Sequence, residues 1–491
     1  MTARRRVLLV AAVALAGAMP ARGQTQDASP SPASPVAGAA AAPASTSAVR
    51  PAPPLAVARP AVAADAQMSQ PPAAQAPGAP AQTAPPVIAL NLPDAERIAV
   101  QNHPQIQIAQ HRANYAAAQV KQVQSFYFPQ ASGNVTGVVA ENDSRITAGA
   151  LNNPQIFDRF ATGAYVSQYV TDFGRTQALV RSSNEHARAQ AADVDTSRAD
   201  VLLQLHEAYF GVLRARVVLT VAQQTVKDRR LISDQVGVMA KNQLKSGLDV
   251  AFANVDLSQA QLLLIQAQND LQASYANLST ALGNREQSAY ELAELPTPAA
   301  PPSDFVEVVQ AAFQNRPELA GQRLEVDAAH SYAIAERDLW FPMMTAAGAA
   351  GVAPYRADQL TSRYAAAGFN INVPIFNGHL FSSLRTQANE QFRAQQQALR
   401  DLEDRIARDV RTAWLNARSA YDRLAVTEQL LNQARLGEDL ASQRYKMGLS
   451  SIIELSQAQL NLTQAEIAEA TAKYEYQART SELLYQQGLL R

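Results

Sequence analysis

The sequence predicts a mixed, mainly α-helical fold in which long coiled-coil helices carry a few membrane-type β-strands. Three features lead there: an internal duplication, sustained seven-residue periods, and short stretches that alternate apolar and small or polar residues. The duplication organises everything else. Asn102-His103-Pro104-Gln105-Ile106 echoes Asn315-Arg316-Pro317-Glu318-Leu319 at an offset of 213, and the same offset joins Phe128-Pro129 to Phe341-Pro342. Further on the offset is 205, linking Tyr209 with Trp414, Asp249 with Glu454, and Gly283 with Gly488. The first repeat therefore holds a longer connection between Pro129 and Asp172, and a length change belongs in a loop. A period this long is not a solenoid; it is one large unit used twice.

The elements follow in order. Arg4, Arg5 and Arg6 precede the apolar run Val7 to Ala16 and the small-x-small site Ala21-Arg22-Gly23, so 1–23 reads as a cleaved signal peptide. The apolar run is well short of the roughly 20 residues that span a bilayer. From 24 to 90 alanine, proline, serine and glutamine dominate without a hydrophobic period, as in a disordered tether. The first repeat occupies 91–290, a linker carrying Pro296, Pro298, Pro301 and Pro302 covers 291–304, and the second repeat occupies 305–491.

Each repeat opens with a helical stretch, Asp94 to Phe126 and Phe305 to Leu339, stopped by an aromatic-proline pair. Strands come next. The clearest sets Ala365, Ala367, Phe369, Ile371, Val373 and Ile375 on one face against Tyr364, Ala366, Gly368, Asn370 and Asn372 on the other. An apolar face backed by a small or polar one is what a membrane barrel wall requires. Phe160 to Val170 is its first-repeat partner, with Tyr165 and Tyr169 available for an interfacial girdle; Ala131 to Glu141 and Met343 to Ala353 supply the remaining strands. Long helices follow at Arg175 to Leu244 and Leu380 to Lys446, then glycine turns at Gly247 and Gly448, then shorter helices at Asp249 to Leu282 and Ile452 to Gln487. Ala253, Ala260 and Ala267 recur every seven residues, as do Leu257, Leu264 and Leu271, and Ala458, Ala465 and Ala472, which means supercoiled helices in close approach. At 1.5 Å per residue the long helices reach about 105 Å, so two short helices stacked end to end match one long one. The proline-rich linker then falls as a collar around the middle.

After the signal no run of 18 consecutive apolar residues occurs, which argues against a single membrane helix and leaves a barrel open. Four strands leave unpaired edges that lipid does not tolerate, so closure demands several protomers. A trimer, with twelve strands, satisfies the even-number rule of bacterial barrels. Lysine plus arginine (42) balances aspartate plus glutamate (43), which removes any basic field for nucleic acid. Cysteine is absent, so disulfides, thiolate metal sites and a lipidated N-terminal cysteine are excluded. His103, His111 and His206 show no ligand spacing, Met343-Met344 stand alone, and no phosphate loop, nucleophile elbow or zinc motif appears. No cofactor, metal or enzymatic activity is expected.

The duplicated order, Phe-Pro before the strands, Val373-Pro374-Ile375-Phe376-Asn377-Gly378 after them, and the turn Arg444-Tyr445-Lys446-Met447-Gly448 resemble the TolC-like outer-membrane efflux proteins, from about Leu92 to the C-terminus. The resemblance implies a trimeric barrel of four strands per protomer in the outer membrane, continuing into a helical tunnel across the periplasm with a mixed equatorial collar. It implies a passive exit duct for a tripartite efflux or type I secretion system. The partners it implies are two further protomers, a periplasmic adaptor, an inner-membrane transporter and outer-membrane lipid. It places Glu454, with its repeat mate Asp249, at an acidic constriction of the tip, Tyr445 in tip closure, and the turns at Ser246, Gly247, Gly448 and Ser451 at the adaptor. Carboxylates gathered round a threefold axis would favour cations and raise one another's pKa. Ser246-Gly-Leu-Asp249 and Ser451-Ile-Ile-Glu454 equally fit capping boxes, and one carboxylate can serve both roles. The sequence departs from the family at Gln457, where a second acid is expected, and at Ser450, where an arginine is. The competing reading is a periplasmic coiled-coil adaptor or structural protein, against which the paired strands argue.

Overall fold

The computed structural model describes residues 88–141, 156–285 and 290–490; the expected signal peptide, nearly all of the tether and part of the longer first-repeat loop lie outside them. In chain order the elements are β1 (Ile88–Leu90), α1 (Leu92–Asn102), α2 (Pro104–Gln124), β2 (Gln130–Val138), β3 (Arg159–Thr171), α3 (Arg175–Lys241), α4 (Gly247–Ala281), β4 (Tyr290–Leu292), α5 (Phe305–Asn315), α6 (Pro317–Arg337), β5 (Met343–Arg356), β6 (Arg363–Asn372), α7 (Leu380–Lys446) and α8 (Ile452–Gln486). The duplication is visible throughout: α1-α2-β2-β3-α3-α4 repeats as α5-α6-β5-β6-α7-α8.

Three boundaries differ from expectation for local reasons. Each opening helical stretch is two helices, because Pro104 and Pro317 lack the N–H that a continuous helix needs and begin new helices instead. The span expected to be tether ends in β1, which pairs in parallel with β4, a strand that straddles the expected boundary between the first repeat and the proline-rich linker. These three-residue strands are too short to show alternation. Finally, α4 is long and apolar enough to cross a membrane by length and composition, with mean hydropathy 1.2 over its best window. Ruling out such a helix from the lack of an unbroken apolar run is therefore too strict, because polar residues interrupt the run in the first half of α4 without lowering its mean far. Only 11% of that window is buried within one protomer.

The strands form one antiparallel sheet in the order β2-β3-β5-β6, leaving β2 and β6 as open edges. Its register sorts the two faces. Ala131, Gly133, Val135, Ala164, Val166, Met344, Ala346, Ala350, Ala365, Phe369 and Ile371 share one face. Thr162 and Gln168 are its interior polar members, and Gln168 spends its amide on the carbonyls of Tyr127 and Tyr169. Ser132, Asn134, Gly163, Ser167, Thr345, Gly368, Asn370 and Asn372 share the other. Tyr165 and Tyr169 belong to this second, small and polar face, opposite Ala349 and Thr345, so they do not lie on the apolar wall where a girdle was expected. Exposed aromatics also gather where strands meet helices, at Phe126, Tyr127, Phe128, Phe173, Trp340, Phe341 and Phe376. Tyr364 lies on the second face across Gly163 and Gly351, where a Cβ at either glycine would collide with its ring.

The helical part is pinned at mid-height. One apolar cluster joins Leu90 and Leu92 to Val201, Leu205, Tyr209 and Leu213 of α3 and Leu278 of α4, and its counterpart joins Val308, Ala312 and Leu319 to Ile406, Val410 and Leu483. Full burial of each such aliphatic side chain contributes about 1.5–3 kcal/mol. Repeat mates perform the same task there. Tyr209 donates to the carbonyl of Ala293 at 2.7 Å, and Trp414 donates to that of Pro302 at 2.8 Å, so both long helices hold the chain segment that crosses them. Gly283 and Gly488, at φ +77° and +70°, end the short helices directly against the α1–α2 and α5–α6 junctions. This is the end-to-end stacking of short helices alongside a long one.

A Cβ at Gly488 would meet the backbone of Asn315 and Arg316 at 2.7–2.8 Å. Gly488→Ala should therefore destabilise the protein by about 1–3 kcal/mol through strain at positive φ and backbone collision. Gly437→Ala, on an open face of α7, should stabilise it by about 1 kcal/mol. Thermal unfolding midpoints of the two variants, moving in opposite directions, check this.

Candidate functional site

The two helical hairpins, α3–α4 and α7–α8, end in turns that bring the singled-out residues together. In the second hairpin, Gly448 takes the left-handed conformation (φ +72°), with its N–H donating to Tyr445 O and that of Leu449 to Arg444 O. The first hairpin makes the same bonds from Gln243 to Ala240 O and from Leu244 to Met239 O, with Gln243 at φ +60°. Gly247 is thus not the turn glycine expected; it is the first residue of α4 and has no positive φ. The offset of 205 pairs Gly448 with Gln243, and a search for glycine passed over the glutamine.

The serine-acid pairs differ in geometry. Ser246 caps α4 with a complete reciprocal box: Asp249 N–H donates to Ser246 Oγ at 3.2 Å, while Ser246 N–H and Oγ–H donate to the Asp249 carboxylate at 2.9 and 2.8 Å. Within one protomer these bonds hold the Asp249 carboxyl below its ordinary range. Folding gains from that ionised cap above the unfolded-state pKa and loses it as pH falls through the depressed folded value. Ser451 caps α8 through the Glu454 N–H at 3.4 Å, but the Glu454 carboxylate turns away to Arg444 Nε at 3.5 Å. That pair is largely exposed and contributes little. Gln457 and Glu454 both remain exposed on α8.

Tyr445 joins the two hairpins. It packs against the buried cluster of Val236, Ala253 and Ile452, which Ile232 and Val250 also border, and Lys245 Nζ sits 4.6 Å from the ring centroid. Burial, then the nearby Asp249 charge, pushes its phenol pKa up, so it stays protonated. Among the described residues its hydroxyl and that of Ser450 are buried without hydrogen-bond partners. Leu244, Leu248, Met447, Leu449 and Ile453 leave the end of the hairpins apolar and exposed.

Deeper in the same bundle lies a polar group that sequence reasoning missed. Arg229 of α3, only 7% exposed, donates to Gln459 Oε1 of α8 at 2.6 Å and to Asp256 Oδ2 of α4 at 3.4 Å. Ser456 Oγ donates to the same Asp256 oxygen at 2.5 Å. The available signal was a broken repeat, since the mates of Arg229, Asp256, Ser456 and Gln459 are Ala434, Asn461, Ala251 and Asn254.

The histidines serve the framework. His103 caps α2 and burial lowers its pKa, and His206 bridges Ser481 and Glu96 at 2.9 and 2.7 Å in the helical interior. Among the described residues no three histidine, aspartate or glutamate side chains gather so as to hold a metal. An open groove of about 700 Å³ lies between α3 and α4, lined by residues such as Glu207, Gly211, Arg214, Asp270 and Asn277.

An L-residue in the left-handed region costs about 1–2 kcal/mol, against about 0.5–1 for the extra freedom that glycine loses. Gln243→Gly should accordingly stabilise the protein by about 0.5–1 kcal/mol, read as a raised midpoint in thermal unfolding.

Comparison with known proteins agrees with this construction. The family described as outer membrane efflux protein matches the chain twice, over 97–284 and 308–486. The pyoverdine export outer membrane protein OpmQ of Pseudomonas aeruginosa is 26% identical over 337 residues, 65% of this chain and 68% of its own length. The cobalt-zinc-cadmium resistance protein CzcC of Cupriavidus metallidurans is 25% identical over 306 residues, 60% of this chain and 69% of its own. The Campylobacter jejuni CmeC outer membrane channel superposes with a TM-score of 0.70 at 17% identity, covering 81% of this chain and 85% of CmeC, which shows the fold. With both repeats matched across most of its length, the chain belongs to the outer membrane efflux protein family.

Proposed function

We propose that this outer-membrane chain is the passive exit duct of a tripartite efflux or type I secretion system, closed by three protomers into a twelve-stranded barrel above a periplasmic helical tunnel. The observation that carries the reading is the sheet: one face is apolar, the other small and polar, and two edges are open. Such a wall suits lipid on one side and water on the other only when its edges pair with those of neighbours. The aromatics at the strand–helix junction suit the inner membrane boundary, where ring and headgroup meet. The exposed apolar side of α4, with Phe252, Val255, Leu262 and Ile265, suits packing against the next protomer.

In this reading residues 1–23 are a removed signal and 24–90 a tether; 91–290 and 305–491 are the two duct repeats, joined by the collar segment 291–304. The turns at Ser246, Gly247, Gly448 and Ser451 meet a periplasmic adaptor, which an inner-membrane transporter drives. Asp249 and Glu454 ring the narrow end, and Tyr445 closes it by wedging between hairpins. Relatives named for pyoverdine export and for cobalt-zinc-cadmium resistance fit a permissive duct whose cargo is chosen upstream. Belonging to a channel family, together with the lack of any catalytic motif, supports a non-enzymatic role without cofactor.

Planar-bilayer recording on the purified, detergent-solubilised protein, with its mass measured in parallel, tests this. Discrete conducting steps from a species of three protomers are expected, with a cation preference that falls at least twofold in Asp249→Asn/Glu454→Gln. A water-soluble species that never inserts would instead favour the adaptor reading.

A further inference from the structure

The hairpins α3–α4 and α7–α8 meet near their ends along a mostly apolar seam, Val236, Ala253 and Ile452 with Ile232, Val250 and Tyr445, with one hydroxyl contact, Thr225 to Thr463 at 3.4 Å, further from the turns. Apolar contact is non-directional, so such a seam holds the hairpins together without fixing one register. Arg229 is different. It sits twelve residues before the end of α3, about 18 Å up from the turn at 1.5 Å per residue. Its guanidinium bonds Asp256 of α4 and Gln459 of α8, and a long contact reaches Ser456 O at 3.5 Å. Ser456 Oγ closes the ring onto Asp256, and Gln459 Nε2 extends it to Glu438 of α7 at 3.4 Å. All four helices are thereby joined through one charged group.

Two properties make this a clamp rather than incidental polarity. Burial lowers the Arg229 pKa while the charges of Asp256, Asp228 and Glu438 oppose that fall, so the cation is tolerated only while its partners stay in place. Directional bonds and a charge pair also fix one register, which apolar packing does not. The repeats have diverged here: the corresponding places in the other repeat hold Ala434, Asn461, Ala251 and Asn254, so the same residue set occurs once per chain, between the hairpins.

We propose that the Arg229–Asp256–Gln459 clamp sets the spacing of the two hairpin ends, and thereby the bore of the duct at its narrow end. The second clause rests on the duct reading; the first does not. Since the chain has no cysteine, spin labels at Lys241→Cys and Lys446→Cys can report the spacing in the intact oligomer, with labelled chains diluted into unlabelled ones. In Arg229→Met the label–label distance distribution should shift outward or broaden, Asp256→Asn should do the same, and Arg229→Lys should do so less. Bilayer conductance of Arg229→Met should rise at least twofold. Distance distributions in Arg229→Met and Asp256→Asn that superimpose on the parent's would overturn the clamp. Shifted distances in a protein that never conducts would keep the clamp and discard the bore; shifted distances with unchanged conductance would discard the bore alone.

Discussion

Four strands with both edges open impose the constraint on which the rest of the molecule depends. In water, the free N–H and C=O groups along β2 and β6 could bond solvent; in hydrocarbon each unsatisfied group costs several kcal/mol. The apolar face of the same sheet carries alanine, valine, phenylalanine and isoleucine largely exposed within a single protomer, so burying it in water would need a cover that the described residues do not supply. Lipid against that face and neighbouring protomers along both edges remove both penalties together. Gly163 and Gly351 then acquire a purpose, since only residues without a Cβ let the Tyr364 ring lie flat across the opposite face.

In the proposed duct, the part below the sheet has to keep several such chains in register. The two long helices, at 67 residues each, are about 100 Å long at 1.5 Å per residue, too long to be aligned by their ends alone. Alignment is made at mid-height, where Tyr209 and Trp414 hold the crossing segments, and where Gly283 and Gly488 butt the short helices onto their neighbours. Alanine seams at Ala253, Ala260 and Ala267 let helices approach closely but give few directional contacts. The polar group at Arg229 and the ring of Tyr445 supply what those seams lack near the open end.

The fold was largely legible because its signals are long-range and redundant. Heptads located α4 and α8 to within a few residues, and the duplication let a weak strand borrow support from its mate. What escaped was short or relational. β1 and β4 have three residues each and exist only because they pair with one another. The side of the sheet occupied by Tyr165 and Tyr169 depends on strand register, which no single strand reveals. At the turns, Gln243 was hidden because it takes a conformation usually given to glycine, whereas Gly247 advertised a turn it does not make. Both serine caps, Ser246 and Ser451, were readable from spacing, but the turning of the Glu454 carboxylate away from its cap was not, because Arg444 competes for it.

Closure of β2 onto β6 of a neighbour is the claim on which the duct stands or falls, and the cysteine-free chain allows it to be measured directly. Cysteine pairs scanned along 130–138 and 363–372, oxidised in the outer membrane and resolved without reductant, should give a covalent ladder that ends at three protomers. A ladder that runs past three, or no cross-link at any register, would contradict a closed twelve-stranded wall.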